Sequence, residues 1–242
     1  MSECLQVAPD EIAPSIADIL HGQGMPADAV VSDRIRALVE ISLGIFASAA
    51  NPCGITRDVS RSEFDEIFHG EGRNDEEAPL KTIYPKADHL ELFALTMGHE
   101  LGRRIEGLLK SNDFALASML DTTASLAVEN SVGLLEGRIA KRLAGDATAT
   151  ASSAALNYSP GYCGWHISAQ NKIFRYLGPE QIGITLNDSY LMTPLKSATG
   201  LIVHGQKTIH DFDIGFRFCR ACKDKTCLER RDRLSSVNHS TL

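Results

Sequence analysis

Apolar residues recur at helical spacing through "SDRIRALVEISLGIFASAA" (32–50), where Ile35, Leu38, Val39 and Leu43 share one face. Ser32 or Asp33 can cap its start, and Pro52 with Gly54 in "NPCG" ends it. A second helix is predicted over 87–110, "ADHLELFALTMGHELGRRIEGLLK", ending before "SNDF". A third begins near Asp113 and runs through "ALASMLDTTASLAVENSVGLLEGRIAKRLAG", with Gly145 as its stop. Its many Ala, Ser, Thr and Gly residues would let another backbone approach closely. The pattern changes at "DATATASSAA" (146–155), a small-residue linker. "SAQNKIFRYLG" then reads as a short helix that Ser168 can cap and that Gly178 and Pro179 close. "IGITL", "SYLMT" and "GLIVHG" are apolar runs of strand length, separated by "ND" and "PLKSATG". Helices first and strands later predict an α+β fold, with a helical N-terminal half packed on a twisted, mainly antiparallel sheet. The expected divisions are a helical region over 1–85, a core over 86–215 and a tail over 216–242.

Composition narrows the function classes. No apolar run is long enough to span a bilayer. The start, "MSECLQVAPDEIAPSI", has no basic stretch leading into an apolar one, so a cytoplasmic location is expected rather than secretion. In a reducing compartment, clustered cysteines serve metal binding or redox chemistry more often than disulfides. The net charge of −7 argues against general affinity for nucleic acid or an anionic membrane. That charge is uneven: residues 217–233 hold seven Arg or Lys against three Asp or Glu, whereas "EGRNDEE" (71–77) reads as an acidic, solvated loop.

Two stretches could carry chemistry. "FRFCRACKDKTCLERR" places Cys219, Cys222 and Cys227 at C-x2-C-x4-C spacing, three corners of a tetrahedral thiolate site. Cys163 is the chosen fourth ligand, with His204, His210, Cys4 and Cys53 as weaker alternatives and a reduced, metal-free tail as the other outcome. Zinc and a [4Fe–4S] cluster both accept four thiolates, and the spacing does not separate them. "YSPGYCGWH" crowds Tyr162, Trp165 and His166 around Cys163 after a turn at Pro160 and Gly161. It is either a loop packing its aromatics on the core or a ligand-binding loop whose backbone amides and Tyr hydroxyl hold a polar small molecule.

"SPGYCGW", followed about twenty residues later by "IGITLNDSYLMTPLKSATGLIVHG", resembles the activation domain of cobalamin-dependent methionine synthase. The matching residues are Pro160, Gly161 and Tyr162, then Asp188 and Ser189, then Met192, Pro194, Ser197 and Gly200. The resemblance is clear over 156–205 and weaker through "LAVENSVGLLEGR", which puts Glu129 at the place of the family's helix glutamate. It implies a domain that binds S-adenosylmethionine and presents it to an inactive cob(II)alamin on a partner, where one-electron reduction and methyl transfer restore methylcobalamin. Tyr162 and the backbone around Pro160 and Gly161 would contact the ligand, and Glu129 would face its cationic amino acid part. Asn157 stands where the family has an Arg for the ligand's carboxylate, and Lys196 is the candidate replacement charge.

These readings give an accessory protein, a component rather than a complete enzyme, serving a corrinoid-dependent methyltransferase. The implied partners are a cobalamin-binding methyltransferase protein and an electron donor; no nucleic acid or membrane partner is expected. The need for an electron favours iron–sulfur over zinc in the tail. The methionine synthase folate, homocysteine and cobalamin modules are missing from the pattern, so a free-standing piece is expected. The alternative is a metal-bearing redox or scaffold protein that keeps the activation fold without the ligand.

Overall fold

A five-stranded antiparallel sheet with strand order β1-β2-β3-β7-β4 runs through the structure, a computed structural model in which residues 3–144 and 153–211 are described. In chain order, β1 (Glu3–Gln6) is followed by α1 (Pro9–Ile12), α2 (Ile16–Gly22), α3 (Asp33–Ala49), β2 (Cys53–Asp58), α4 (Arg61–His69) and α5 (Leu80–Ile83). Then come β3 (His89–Thr96), α6 (His99–Lys110), α7 (Phe114–Ala144), β4 (Ser153–Tyr158) and α8 (Gln170–Leu177). A two-stranded hairpin of β5 (Thr185–Leu186) and β6 (Met192–Thr193) precedes β7 (Ser197–Gln206). The predicted α+β fold is the one observed. Residues 153–155 of the expected linker 146–155 begin strand β4, while residues 145–152 and the tail cysteines Cys219, Cys222 and Cys227 lie outside the described residues.

The sheet is covered on both faces, which explains the largest departure from the predicted elements. Residues 89–96 form the central strand β3, not the first half of a helix. Leu90, Leu92 and Ala94 point to a core built with α4, α5 and α8, while Phe93 and Leu95 point to α7. A strand buried on both faces loses the apolar–polar alternation that identifies strands, so "LELFAL" fits a helical pattern as well. Gly98, at φ 81°, separates the strand from α6 and opens that helix. β1 and β2 likewise place strands within the N-terminal region that reads as helical.

The predicted third helix is α7, 31 residues long and therefore about 46 Å from end to end. Its first half belongs to a helical cluster. Ala124 and Ala127 pack with Phe46 of α3 and Leu101 of α6, and a Cβ on Gly22 of α2 would come within 2.7 Å of Thr122. The hydroxyls of Ser42 and Thr123 meet at 3.0 Å in the buried α3–α7 contact. In its second half Val132, Leu135 and Ile139 lie on Phe93, Leu95 and Ile202 of the sheet. Leu120 and Met119 add larger side chains to the helix contacts, alongside the small Ala124 and Ala127.

Candidate functional site

Of the residues singled out in the sequence, Asn157, Pro160, Gly161, Tyr162 and Lys196 lie at the end of the sheet where β4 leaves and β7 enters. Gly200 makes the junction possible. A Cβ there would lie 2.4 Å from the Tyr158 carbonyl oxygen, 2.8 Å from Ser159 Oγ and 2.9 Å from the Phe93 ring. Chain 159–166 then folds back on itself: the Gly161 amide donates to the Trp165 carbonyl at 2.7 Å, and the Trp165 amide to the Tyr162 carbonyl at 2.9 Å. Gly161, Cys163 and Gly164 all have left-handed φ, at 93°, 50° and 74°. Trp165 is 2% exposed, edge-on to Phe64 at 5.6 Å, whereas Tyr162 is 55% exposed. One aromatic therefore anchors the loop in the core and the other is presented outward.

The "EGRNDEE" segment holds this loop in place. Asn74 accepts from the His166 amide at 2.9 Å through Oδ1 and donates through Nδ2 to the Phe68 carbonyl at the end of α4. The Asp75 amide donates to the Gly164 carbonyl at 2.9 Å, and the Tyr190 hydroxyl reaches Glu71 at 3.2 Å. His166 Nδ1 accepts from the Ser168 amide at 3.1 Å, so the cap of the turn leading into α8 is His166, two residues upstream of the expected Ser168. The acidic segment is exposed in most of its side chains, yet it is a strut with specific partners.

One stripe of α7 faces the other side of the junction. Asp121, Ser125, Glu129 and Glu136 fall within an arc of roughly 80° at 100° per residue. Lys196, the candidate replacement charge, bonds Asp121 and Ser125 at 2.8 Å each, with 12% of its side chain exposed. Asn157, at the family's Arg position, is buried on β4, and Glu136 Oε1 accepts from both its backbone amide (2.6 Å) and its side-chain amide (2.7 Å). Glu136 was not among the predicted residues. It follows Glu129 by seven positions, nearly two turns, and that spacing in "ENSVGLLEGR" was the available signal. Glu129 is exposed on α7 between the Lys196 and Asn157 attachments.

Asp188 and Ser189 stand apart from this stripe. They occupy the exposed turn between β5 and β6, where Asn187 Oδ1 accepts from the Ser189 and Leu191 amides at 2.9 Å each. Asp188 lines a cleft of about 560 Å³ with Asn171, Phe174 and Arg175 of α8, on the opposite face of the sheet from α7. The Ser197 hydroxyl lies 2.9 Å from Thr96 Oγ1 and 2.7 Å from the Pro194 carbonyl, fixing the entry of β7.

Of the proposed metal ligands, Cys163 alone falls within the described residues, and its side chain is partly exposed. Among the weaker alternatives, Cys4 and Cys53 lie on β1 and β2, toward the other edge of the sheet. His210 is fully buried with Nδ1 2.8 Å from the Tyr158 hydroxyl, and burial lowers its pKa to about 4. Asp58, His89 and Glu91 bring ligand atoms within 4.8 Å of one another, but Arg142 already pairs with both carboxylates. Burial would raise the pKa of Glu91; hydrogen bonds with His89 and Thr56 and the charge of Arg142 hold it below the usual range instead. This cluster is an ion-pair network fastening α7 to the sheet.

No helix among the described residues is long and apolar enough to cross a membrane. A comparison with curated protein sequences finds no match. Among solved structures, the chain is similar to the MetH reactivation domain bound to AdoHcy, with a TM-score of 0.62 and 15% identity over 84% of this chain and 78% of that one. At that identity the likeness concerns the fold. The family model for the vitamin B12 dependent methionine synthase activation domain matches residues 78–218, which include α7, the loop after β4 and β7. That match spans more than half of the chain, and the chain belongs to the family of vitamin B12 dependent methionine synthase activation domains.

Proposed function

We propose that this chain binds S-adenosylmethionine and presents it to the corrinoid of a cobalamin-carrying methyltransferase protein, supporting that corrinoid's reductive remethylation. The observation that carries this reading is the loop after β4, anchored at Trp165 and open at Tyr162. A tyrosine ring presented from a fixed loop suits contact with the flat heterocycle of an adenosyl ligand. Glu129 would answer the positive ammonium and sulfonium groups. Asn157, with its amide held by Glu136, would offer a neutral hydrogen-bonding surface where the family has an Arg. The sulfonium supplies the methyl group and becomes the thioether of S-adenosylhomocysteine, while a donor protein supplies the electron. That the similar reactivation domain is bound to AdoHcy, the product of such a transfer, supports the ligand class.

Calorimetric titration with S-adenosylmethionine and S-adenosylhomocysteine tests this. Wild-type protein is expected to bind, and Tyr162→Ala to bind more weakly by about 1–3 kcal/mol through loss of ring and hydroxyl contacts. Absence of binding by the wild type at millimolar ligand would overturn the reading.

A second reading, a metal-bearing redox or scaffold role, is favoured by Cys163. A non-glycine residue at φ 50° is unusual, and such positions concentrate at ligand sites. With Cys219, Cys222 and Cys227 it would hold an iron–sulfur cluster or zinc. The two readings are compatible, since a cluster could pass the electron that remethylation requires.

A further inference from the structure

The loop after β4 is held by more than its own backbone. Three of its residues sit at left-handed φ, and the Gly161, Tyr162 and Trp165 amides close it with internal hydrogen bonds. A further hold comes from elsewhere in the chain, from the segment 71–77 upstream of the family match at 78–218. Asn74 is half-buried there while the other residues of 71–77 are exposed. Its side-chain amide spans two backbone groups that would otherwise lack partners. One is the Phe68 carbonyl, among the last four of α4, which no residue within that helix can satisfy. The other is the His166 amide at the exit of the loop. His166 in turn caps the turn that starts α8, so a single side chain links the end of α4, the loop and the entry to α8. Close packing reinforces the link: a Cβ on Gly164 would meet that of Asp75 at 2.8 Å.

We infer that Asn74 is a positioning residue for the adenosyl-ligand site, acting through the loop to hold Tyr162 in its binding geometry. The inference rests on the functional reading above, and its test separates the two. Affinity for S-adenosylhomocysteine is measured by calorimetry in the wild type, Asn74→Ala, Asn74→Asp and Ile19→Ala. The last is a control that opens a cavity in the α2–α3–α7 contact, far from the loop in sequence and structure. Acrylamide quenching of Trp165, the only tryptophan in the chain, reports the loop directly.

Asn74→Ala is expected to weaken binding about tenfold, the equivalent of one lost buried hydrogen bond, and to make Trp165 more accessible to quencher. Asn74→Asp keeps an acceptor for the His166 amide and is expected to fall between wild type and Asn74→Ala in both readouts. Ile19→Ala is expected to melt at lower temperature yet keep wild-type affinity and quenching. Wild-type affinity in Asn74→Ala overturns the inference and leaves the ligand reading standing. Equal losses of affinity in Asn74→Ala and Ile19→Ala also overturn it, because the effect would then be general destabilisation. Failure of the wild type to bind removes the ligand reading and this inference together.

Discussion

At the sheet's β4 edge the partly buried Tyr158 packs on the fully buried His210. The rings stack with centroids 6.0 Å apart, and the hydroxyl meets Nδ1 at 2.8 Å. Burial favours the neutral imidazole and lowers its pKa from 6.5 to about 4. A depressed folded-state pKa means that the neutral form's full stability is present above about pH 6.5 and declines as pH falls toward 4, because the unfolded chain takes up the proton first. The shift corresponds to roughly 3 kcal/mol. Thermal unfolding of the wild type should therefore lose stability across pH 6.5 to 4. His210→Phe, which cannot be protonated, should show a flatter profile in that window. Parallel profiles for the two proteins would mean that His210 is not the titrating group. Tyr158 directly precedes the loop after β4, so the same titration should loosen the loop's root at acidic pH.

At the scale of elements, β4 and β7 depend on one another through Gly200. The contacts a Cβ would make there, to the Tyr158 carbonyl and the Phe93 ring, are to parts of the structure that cannot swing aside. Gly200→Ala should therefore separate β4 from β7 near Tyr158 and destabilise the protein by about 2 kcal/mol or more, within the overpacking range. Urea denaturation gives the stability. A cost below 0.5 kcal/mol, the size of an ordinary surface change, would show that the junction tolerates a side chain. Adenosyl-ligand affinity should fall with it, because β4 is the strand that delivers the Pro-Gly-Tyr turn. α7 holds the same junction from the opposite face, through Lys196 with Asp121 and through Asn157 with Glu136. One long helix thus sets the spacing between two strand ends and carries Glu129 between its two attachments.

Across the whole molecule, the family match begins at residue 78, but the sheet does not. β1 and β2 complete it, and Phe64, Ile67 and Phe68 of α4 supply the aromatic and aliphatic bed for Trp165. The upstream region is part of the same core as the loop after β4. The tail cysteines pose the corresponding question for the downstream end. If Cys163 joins Cys219, Cys222 and Cys227 at one metal, protein purified without oxygen should contain iron or zinc by elemental analysis. Cys163→Ser should lose much of that metal, whereas Cys4→Ser and Cys53→Ser, altered toward the other edge of the sheet, should keep it. Full metal retention in Cys163→Ser would detach the tail from the ligand loop and leave structural zinc as the better assignment. An iron–sulfur cluster would add visible absorbance that zinc lacks.

Local signals sufficed for α3 and α8, where amphipathic spacing, Ser32 as a cap and Gly178 at its left-handed position agree, and for α7, an unbroken run of helix-compatible residues. They also sufficed for the Pro-Gly-Tyr loop and the entry to β7, whose turn residues and order along the chain carried the family resemblance. β3 was not legible, because burial on both faces removes the alternation that marks a strand. Nor was the part played by Asn74, and Glu136 was legible only as a carboxylate on Glu129's face of α7, not as the partner of Asn157. A hydrogen bond between residues 74 and 166, or 136 and 157, leaves no periodic trace in either stretch. It exists only once packing of α4, α7 and the sheet brings those backbones together. Sequence alone thus determined α3, α7 and α8, the Pro-Gly-Tyr turn and the family, since each follows from neighbours along the chain. Tertiary structure decided which side chains hold the loop and which residues of the motif share a face, because those depend on contacts between residues distant in sequence.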